Sequence, residues 1–236
     1  MLFAPNLKVF DLLALKDSIT KLGLHISLTR YSSGLIPFLI KQKMAKEVNV
    51  VFDVGAHNGS WTNQVSRILK SADFYLFEPN TNHNSQLEKT GFRYFNDVLS
   101  DQKKTIEWFG VGGLGDSYFK DNGQTFADVL PKKILTSTLN NYVREFRLPI
   151  PQLLKIDTQG SELDIVAGSS DFIGSVKYVI LECPLIEYNQ GAPNIQNYLV
   201  AMQDLGFVPV DITEVHYVNR MAVQIDIAFV NSSIKC

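Results

Sequence analysis

The length of 236 residues fits one α/β domain with a small appendage, and a composition of 45% hydrophobic and 19% charged residues excludes a disordered or fibrous chain. The net charge of −2 creates no basic field and argues against a nucleic-acid substrate. Charged residues interrupt the apolar N-terminal stretch, so it predicts neither a signal peptide nor a membrane span. The two cysteines, Cys183 and Cys236, do not suggest a disulfide framework. We therefore expect a cytoplasmic protein.

Residues 1–47 are predicted to form a helical N-terminal cap on a main domain that covers residues 48–236. Apolar residues recur there every three to four positions, the period of an amphipathic helix: Leu12, Leu13, Leu15, Ile19, Leu22 and Leu24. Pro37 is expected to interrupt the second half of this cap. The pattern is compatible with a cap that only packs against the main domain and with a lid that shapes a substrate pocket.

Short β-rich runs alternate with helical stretches from Val48 onward, which predicts an α/β fold with a mostly parallel sheet. Five parallel strands are expected at residues 48–54, 73–79, 92–99, 153–157 and 176–183, with helices at 60–70, 139–146, 161–168 and 195–205. Two further strands, at 207–212 and 222–230, leave no room for a crossover helix between them and should form a C-terminal antiparallel hairpin. The sheet would then have seven strands, with an extra extended piece at 105–111 and a loop at 112–123.

The string FDVGAHNGSWT begins at the end of the first strand and predicts a ligand-binding turn. Gly55 and Gly59 permit a tight turn and a close approach of the backbone to a ligand. The pattern lacks the three glycines that hold the pyrophosphate of NAD or FAD. A more open turn that is preceded by the acidic Asp53 suits the charged amino-acid end of S-adenosylmethionine.

Polar residues at the ends of the next two strands extend this predicted cofactor site. Glu78 and Pro79 end the second strand, where an acidic group in α/β nucleotide-binding folds accepts hydrogen bonds from ribose hydroxyls. Asp97 and Val98, after Asn96, follow the third strand at a position suited to adenine contacts.

The string LLKIDTQGSELDIVAG forms the end of the fourth strand and the start of its helix. Asp157, Gln159, Gly160 and Glu162 lie together there, and ligands of open α/β sheets bind beyond the carboxyl ends of the strands. We expect Asp157 and Gln159 to contact the cofactor. Glu162 has the alternative role of a helix-start carboxylate favoured by the helix dipole.

These strings, together with TLNNYV, LECPLIEY and DIAFV, resemble the FkbM family of methyltransferases over roughly residues 48–231. The resemblance implies a Rossmann-like class I methyltransferase fold, S-adenosylmethionine as methyl donor, and O-methylation of a hydroxyl on a small molecule, often a polyketide or a saccharide. Residues that match the family's motifs are Asp53, Gly55, Gly59, Glu78, Lys155, Asp157, Gly160 and Glu162. His57 stands where the family often has Asn, and Thr158 where an aliphatic residue is usual.

Four residues near the strand ends are candidates for the base that activates the acceptor hydroxyl: Asp157, Glu182, Glu162 and His57. Asp157 and Glu182 end adjacent strands, so their carboxylates should face one cleft. Either one of them takes the proton directly or both hold a divalent cation. We favour the metal-free mechanism, with Asp157 as base, because no third ligand is evident in the sequence. The remaining histidines lack metal-ligand spacing and are expected to be structural or solvent-facing: His25, His83 and His216.

Two other function classes are compatible with an α/β nucleotide-binding fold. One is a non-catalytic binding module, although it would not need all of the acidic and glycine positions. The other is an NAD-dependent oxidoreductase, against which the missing middle glycine argues. The sequence indicates no oligomeric state and no specific acceptor.

Overall fold

The computed structural model describes residues 33–109, 117, 119, 130–186, 189 and 191–234. Most of the predicted cap and most of the loop at 112–123 lie outside these residues. Residues Ser33–Cys236 belong to one compact unit, and the division predicted at residue 47 and the lid role of the cap stay predictions. No helix of the described part has the length and apolar character that crossing a membrane requires.

The described part of the chain alternates between strands and helices, as the sequence pattern predicts. The strands are β1 Val50–Val54, β2 Asp73–Phe77, β3 Arg93–Phe95, β4 Thr105–Trp108, β5 Lys132–Leu135, β6 Leu153–Ile156, β7 Tyr178–Pro184, β8 Phe207–Val218 and β9 Met221–Asn231. The α-helices are α1 Leu35–Lys41, α2 Met44–Glu47, α3 Ser60–Ser66, α4 Asn84–Thr90, α5 Leu139–Phe146, α6 Glu162–Ala167 and α7 Ile195–Asp204.

Seven of the strands form one sheet in the order β3-β2-β1-β6-β7-β9-β8. The first five are parallel, and β9 runs antiparallel to both of its neighbours. This arrangement confirms the predicted Rossmann-like class I methyltransferase fold with its C-terminal antiparallel hairpin. The strand order reverses at β1, and such a switch point opens a crevice at the carboxyl ends of β1 and β6.

Both faces of the sheet are covered by apolar packing, because alternate residues of a strand point to opposite sides. Phe52 of β1 packs on one side with residues of α5, α6 and α7. Val51 packs on the other side with residues of α1 to α4. The polar members of this second face, Asp53 and Lys155, are paired in register on β1 and β6. A buried charged pair therefore lies within an otherwise apolar layer.

Several predicted boundaries were wrong for physical reasons. Pro37 lies in the first turn of α1, where a missing backbone N–H costs no helical hydrogen bond, so it does not interrupt that helix. The third strand ends at Phe95 instead of Leu99. The hairpin strands are longer than predicted, because register shifts in β8 break the alternation that a sequence reading relies on. The extended piece at Thr105 pairs with β5, which was not predicted, in a separate two-stranded sheet.

Candidate active site

A cavity of about 250 Å³ opens at the carboxyl ends of the parallel strands. Eight of the ten residues predicted to contact a cofactor line it: Gly55, His57, Glu78, Pro79, Asp97, Val98, Asp157 and Gln159. The other two predicted residues, Asp53 and Gly59, are not part of its lining. The sequence motifs from four separate segments are thus brought together around one space.

The turn after β1 requires glycine because the chain passes close to other segments with a left-handed backbone. Gly55 has a φ of 77°, and a Cβ atom there would lie 1.7 Å from the carbonyl oxygen of Asp157. Gly59 has a φ of 76°, and its Cβ would lie 2.8 Å from Cγ2 of Thr90 in α4. Gly55 therefore allows β1 and β6 to end side by side, and Gly59 allows α3 to approach α4.

Asp53 lies beneath the cavity and is fully buried. Its Oδ2 accepts a hydrogen bond of 2.5 Å from Thr62 Oγ1, and its Oδ1 lies 3.8 Å from Lys155 Nζ. Burial raises the pKa of Asp53, while the Lys155 ammonium and the Thr62 hydroxyl oppose that rise. Asp53, which is predicted to contact the cofactor, is thus paired with Lys155 and Thr62 and does not line the cavity.

Lys155 connects this buried carboxylate to the cavity. Its Nζ lies 2.9 Å from Oδ2 of Asp157 and 5.6 Å from the ring centroid of Trp61. Burial lowers the pKa of Lys155, but the charges of Asp157 and Asp53 outweigh it and raise the pKa above its usual value. For Asp157, burial raises the pKa and the Lys155 ammonium more than reverses the effect. Asp157 is therefore ionised at neutral pH.

Glu78 is oriented by backbone groups at the end of β2. Its two carboxylate oxygens accept hydrogen bonds from the backbone N–H groups of His57 and Asn80, each at 2.8 Å. Asn96 Nδ2 donates to the backbone carbonyl of Glu78 at 2.8 Å. The His57 ring lies against that of His83, with ring centroids 4.0 Å apart. The carboxylate is held in one position at the cavity wall.

The segment after β3 supplies a mixed polar and apolar wall. Asp97 accepts a hydrogen bond from the hydroxyl of Tyr142 in α5. Burial, together with this neighbouring carboxylate, raises the pKa of Tyr142. Val98 and Leu99 are buried and line the cavity beside Phe77. An apolar surface beside one fixed hydrogen-bond acceptor is suited to a planar aromatic ring that carries hydrogen-bond donors at its edge.

Gln159 joins the two carboxylates that sequence analysis expected to face one cleft. Its backbone is left-handed with a φ of 59°. Its Nε2 lies 2.6 Å from Oε2 of Glu182 and 3.4 Å from Oδ1 of Asp157. Burial raises the pKa of Glu182 well above its usual value, and the charges of Asp157, Glu162 and Asp226 add to the rise. Glu182 itself is only 4% exposed and does not line the cavity.

Glu162 is turned away from the cavity and holds the loop before α6. It accepts hydrogen bonds from the backbone N–H groups of Thr158 at 2.7 Å and Gly160 at 3.0 Å, and from the Tyr198 hydroxyl at 2.5 Å. Burial raises its pKa although these hydrogen bonds oppose the rise. Of the four base candidates, Asp157 and His57 line the cavity, whereas Glu162 and Glu182 do not.

The C-terminal hairpin contributes residues to the cavity that were not predicted from the sequence. Asp226 of β9 and Glu214 of β8 line the cavity and face each other in register. His216, which was expected to be structural or solvent-facing, lies with its Nε2 atom 3.5 Å from Oδ1 of Asp226. Trp61 and Trp108 also line the cavity. The signal available in the sequence was the polar Asp226 at the start of the apolar string DIAFV.

The comparison with protein families agrees with this geometry. The sequence model of the Methyltransferase FkbM domain matches residues 53–209. The chain belongs to this family. The matched range begins at Asp53 and includes the turn after β1, Glu78 and the loop after β6, which are the parts of the FkbM domain that surround the cavity.

Curated relatives of this FkbM chain are distant. The 2-O-methyltransferase NoeI of Sinorhizobium fredii is 22% identical over 151 residues, which are 56% of this chain and 62% of NoeI. The hexuronic acid methyltransferase AglP of Haloferax volcanii is 25% identical over 154 residues, 65% of this chain and 62% of AglP. The chain thus spans less than two thirds of the length of either relative.

Solved structures with a similar chain course include two methyltransferases. The methyltransferase FkbM from Methylobacillus flagellatus has a TM-score of 0.49 at 13% identity and covers 76% of this chain and 43% of its own. The magnesium protoporphyrin IX methyltransferase ChlM from Synechocystis, with bound S-adenosylmethionine, has a TM-score of 0.44 at 10% identity. The match covers 96% of this chain and 100% of the ChlM chain.

Proposed function

We propose that this FkbM chain is an S-adenosylmethionine-dependent O-methyltransferase whose acceptor is a hydroxyl of a saccharide or another small molecule. Family membership supports methyl transfer. The names of the curated relatives, a 2-O-methyltransferase and a hexuronic acid methyltransferase, support a sugar oxygen as the acceptor. The chain spans only 62% of the length of each relative, so their names do not carry the whole proposal. The choice of methyl donor is therefore argued from the residues of the site.

The charge of the cavity lining is the observation that carries this choice. One lysine, Lys155, and five carboxylates line the described cavity, the carboxylates being Glu78, Asp97, Asp157, Glu214 and Asp226. Such a lining repels the pyrophosphate of NAD or NADP and attracts a ligand that carries ammonium and sulfonium groups. It therefore favours S-adenosylmethionine over a dinucleotide.

Each part of the proposed cofactor has a matching group in the lining. Glu78 would accept hydrogen bonds from the two ribose hydroxyls, since a carboxylate oxygen can accept more than one hydrogen bond. Asp97 and Val98 would hold the adenine, and Asp157 and Gln159 the methionine end. The remaining predicted contacts come from Gly55, His57 and Pro79. Asp53 would act indirectly, by fixing Lys155 at the cavity wall.

S-adenosylmethionine, when bound, supplies a methyl group on a positively charged sulfur. In the transfer that this donor would support, the acceptor oxygen would bond to the methyl carbon as the carbon–sulfur bond breaks, and the bonding electron pair would stay on the sulfur. Holding the two reactants in line can lower the barrier by up to about 7–11 kcal/mol. The hydroxyl proton goes to Asp157, which lines the cavity and is kept ionised by Lys155. The chain's main contribution is therefore orientation, with Asp157 as proton acceptor.

Ligand-dependent thermal unfolding tests the choice of cofactor. A ligand at 100 times its Kd should stabilise the folded chain by about 2.7 kcal/mol. We expect S-adenosylmethionine and S-adenosylhomocysteine to raise the Tm, whereas NAD and NADP leave it unchanged. A stabilisation by the dinucleotides alone would contradict the proposal.

Turnover distinguishes an enzyme from a binding module with the same cavity. Release of S-adenosylhomocysteine should be followed with a panel of neutral sugars, hexuronic acids and small-molecule alcohols. Methylation of a sugar hydroxyl, located by mass spectrometry, is the expected result. Transfer to nitrogen or carbon acceptors alone would refute O-methylation.

A further inference from the structure

Three side chains from the last three strands of the sheet converge beside the cavity. Glu182 of β7 and Asp226 of β9 stand directly opposite each other in the antiparallel register. His216 of β8 is one diagonal step away, because its own partner in the register is Gln224. One ligand atom from each of Glu182, His216 and Asp226 lies within 4.8 Å of the other two. The group combines two carboxylates and one imidazole, which are metal-ligand types.

The group of three holds two carboxylates and one imidazole, so at most one positive charge, on His216, faces two negative ones. Glu182 and Asp226 are 4% and 3% exposed. Like charges directly across a strand pair are destabilising, and burial removes the water that would screen them. The nearby ammonium of Lys155 forms its ion pairs with Asp157 and Asp53, one and two strands further away in the sheet. A cation at the group would offset the repulsion.

Two buried polar atoms of the group also lack a hydrogen bond. Among the described residues, neither Oδ1 of Asp226 nor Nε2 of His216 has a hydrogen-bond partner, although the two atoms face each other at 3.5 Å. A buried unsatisfied polar group costs about 1–3 kcal/mol, and native structures hold few of them. Coordination of one ion would satisfy both atoms at once.

We propose that Glu182, His216 and Asp226 form a binding site for a divalent transition-metal ion, Mn²⁺ or Zn²⁺. The ligand set supports this choice, since an imidazole nitrogen favours transition metals over Mg²⁺ and Ca²⁺, which prefer oxygen ligands throughout. Open coordination positions would face the cavity, because Asp226 belongs to its lining. The metal pair considered from the sequence was Asp157 and Glu182; this site shares Glu182 with that pair and adds His216 and Asp226.

The role of the ion rests on the proposed function, whereas its binding does not. In the sheet, Asp226 on β9 is two strands from Asp157 at the end of β6 and four strands from Glu78 at the end of β2. An ion there would bind an acceptor oxygen on the Asp157 side of the cavity and lower the pKa of the hydroxyl to be methylated. It also offsets the acidic lining for an acceptor that itself carries a carboxylate.

Metal titration of the EDTA-treated and dialysed chain tests the site directly. Isothermal titration calorimetry with Mn²⁺, Zn²⁺, Mg²⁺ and Ca²⁺ should give one saturable site that is tightest for the transition metals. The pulsed electron paramagnetic resonance spectrum of bound Mn²⁺ should contain a nitrogen coupling from an imidazole ligand. His216→Gln should remove this coupling.

Matched carboxylate variants separate coordination from general electrostatics. Asp226→Asn should weaken Mn²⁺ binding by at least about 10–100-fold, since loss of even an outer-shell partner of a metal ligand has an effect of that size. Glu214→Gln is the control, because it also removes one negative charge, from the residue opposite Asp226 that is not part of the group of three. Its affinity for Mn²⁺ should stay within about threefold of the parent value, the spread of ordinary surface-charge effects. Thermal unfolding of each variant checks that it is folded.

The outcomes distinguish the metal site from the methyltransferase activity. Absence of saturable Mn²⁺ and Zn²⁺ binding, or equal affinities in Asp226→Asn and Glu214→Gln, overturns the metal site. S-adenosylhomocysteine is titrated into the same preparations. If S-adenosylhomocysteine binds but no metal does, the metal site is overturned and the proposed function stands. If a metal binds but S-adenosylhomocysteine does not, the metal site stands and the proposed function is contradicted.

Discussion

Replacement of Gly55 by alanine should destabilise the chain through a collision between two strands. At a φ of 77°, alanine is strained by about 1–2 kcal/mol. Its Cβ would also lie 1.7 Å from the carbonyl oxygen of Asp157, half the shortest ordinary contact of 3.4 Å. Overpacking usually costs about 1–3 kcal/mol and occasionally more. The Asp157 carbonyl belongs to the backbone and cannot rotate away as a side chain does. We therefore expect the strain and the collision together to lower the free energy of unfolding by about 4 kcal/mol or more.

Gly91 is the matched control for this experiment. It has nearly the same backbone conformation, with a φ of 75°, but a Cβ there meets nothing within 4 Å. Urea unfolding of Gly91→Ala should therefore report the backbone strain alone. The difference between the two variants measures the collision. If Gly55→Ala loses no more stability than Gly91→Ala, the close passage of β1 past β6 is wrong. In a folded Gly55→Ala sample, displacement of Asp157 should also weaken S-adenosylhomocysteine binding.

Three further substitutions probe the site. Glu78→Ala should weaken S-adenosylmethionine binding at least about tenfold in calorimetry, since hydrogen bonds to a charged group contribute about 1.5–3 kcal/mol; an unchanged Kd would remove Glu78 from the ribose site. Asp157→Asn should lower kcat by far more than it weakens cofactor binding, since the asparagine keeps an oxygen acceptor but cannot take the proton, and a near-parental kcat would exclude it as the base. Lys155→Met should lower the free energy of unfolding in urea by about 3–5 kcal/mol, because it leaves buried carboxylates without their ion-pair partner. The surface control Lys104→Met should lower it by about 0–1 kcal/mol.

The fold was predictable because its signals are local. The strand β1 is apolar over almost its whole length and is buried on both faces. The helix α5 begins and ends where the sequence predicts, and its start is fixed by Thr138, whose side chain accepts a hydrogen bond from the backbone N–H of Asn141. The final hairpin followed from a connection too short for a crossover. Each of these inferences needed only neighbouring residues.

The length of the hairpin was not predictable in the same way. Its turn is Asn219 and Arg220, both with positive φ, and this pair differs from the Asn-Gly and Asp-Gly signals of two-residue turns. Irregularities in β8 then shift the alternation at three places. The register that sets Glu214 and His216 beside β9 depends on both features. For that reason the sequence did not connect His216 with a site.

The sequence shows which strand ends carry acidic residues, but the orientation of these side chains depends on packing. Asp53 and Asp157 both follow apolar runs, yet Asp53 is covered by Thr62 of α3 while Asp157 lines the cavity. Glu162 is turned toward Tyr198 of α7, which lies 36 positions further along the chain. A pattern of residue types cannot distinguish these surroundings. Only the packed helices decide which carboxylates reach a ligand.

The row of carboxylates at the sheet edge links the fold to the proposed chemistry. Asp157, Glu182, Asp226 and Glu214 follow one another across four strands, because Ile156 pairs with Leu181 just before the first two and the hairpin register aligns the others. When ionised, four carboxylates in one row oppose folding, so residues chosen for stability alone would not be acidic there. Lys155 neutralises the first of them. Positive charge from outside the chain, on a sulfonium ligand and on a metal ion, is what would make the remaining row favourable.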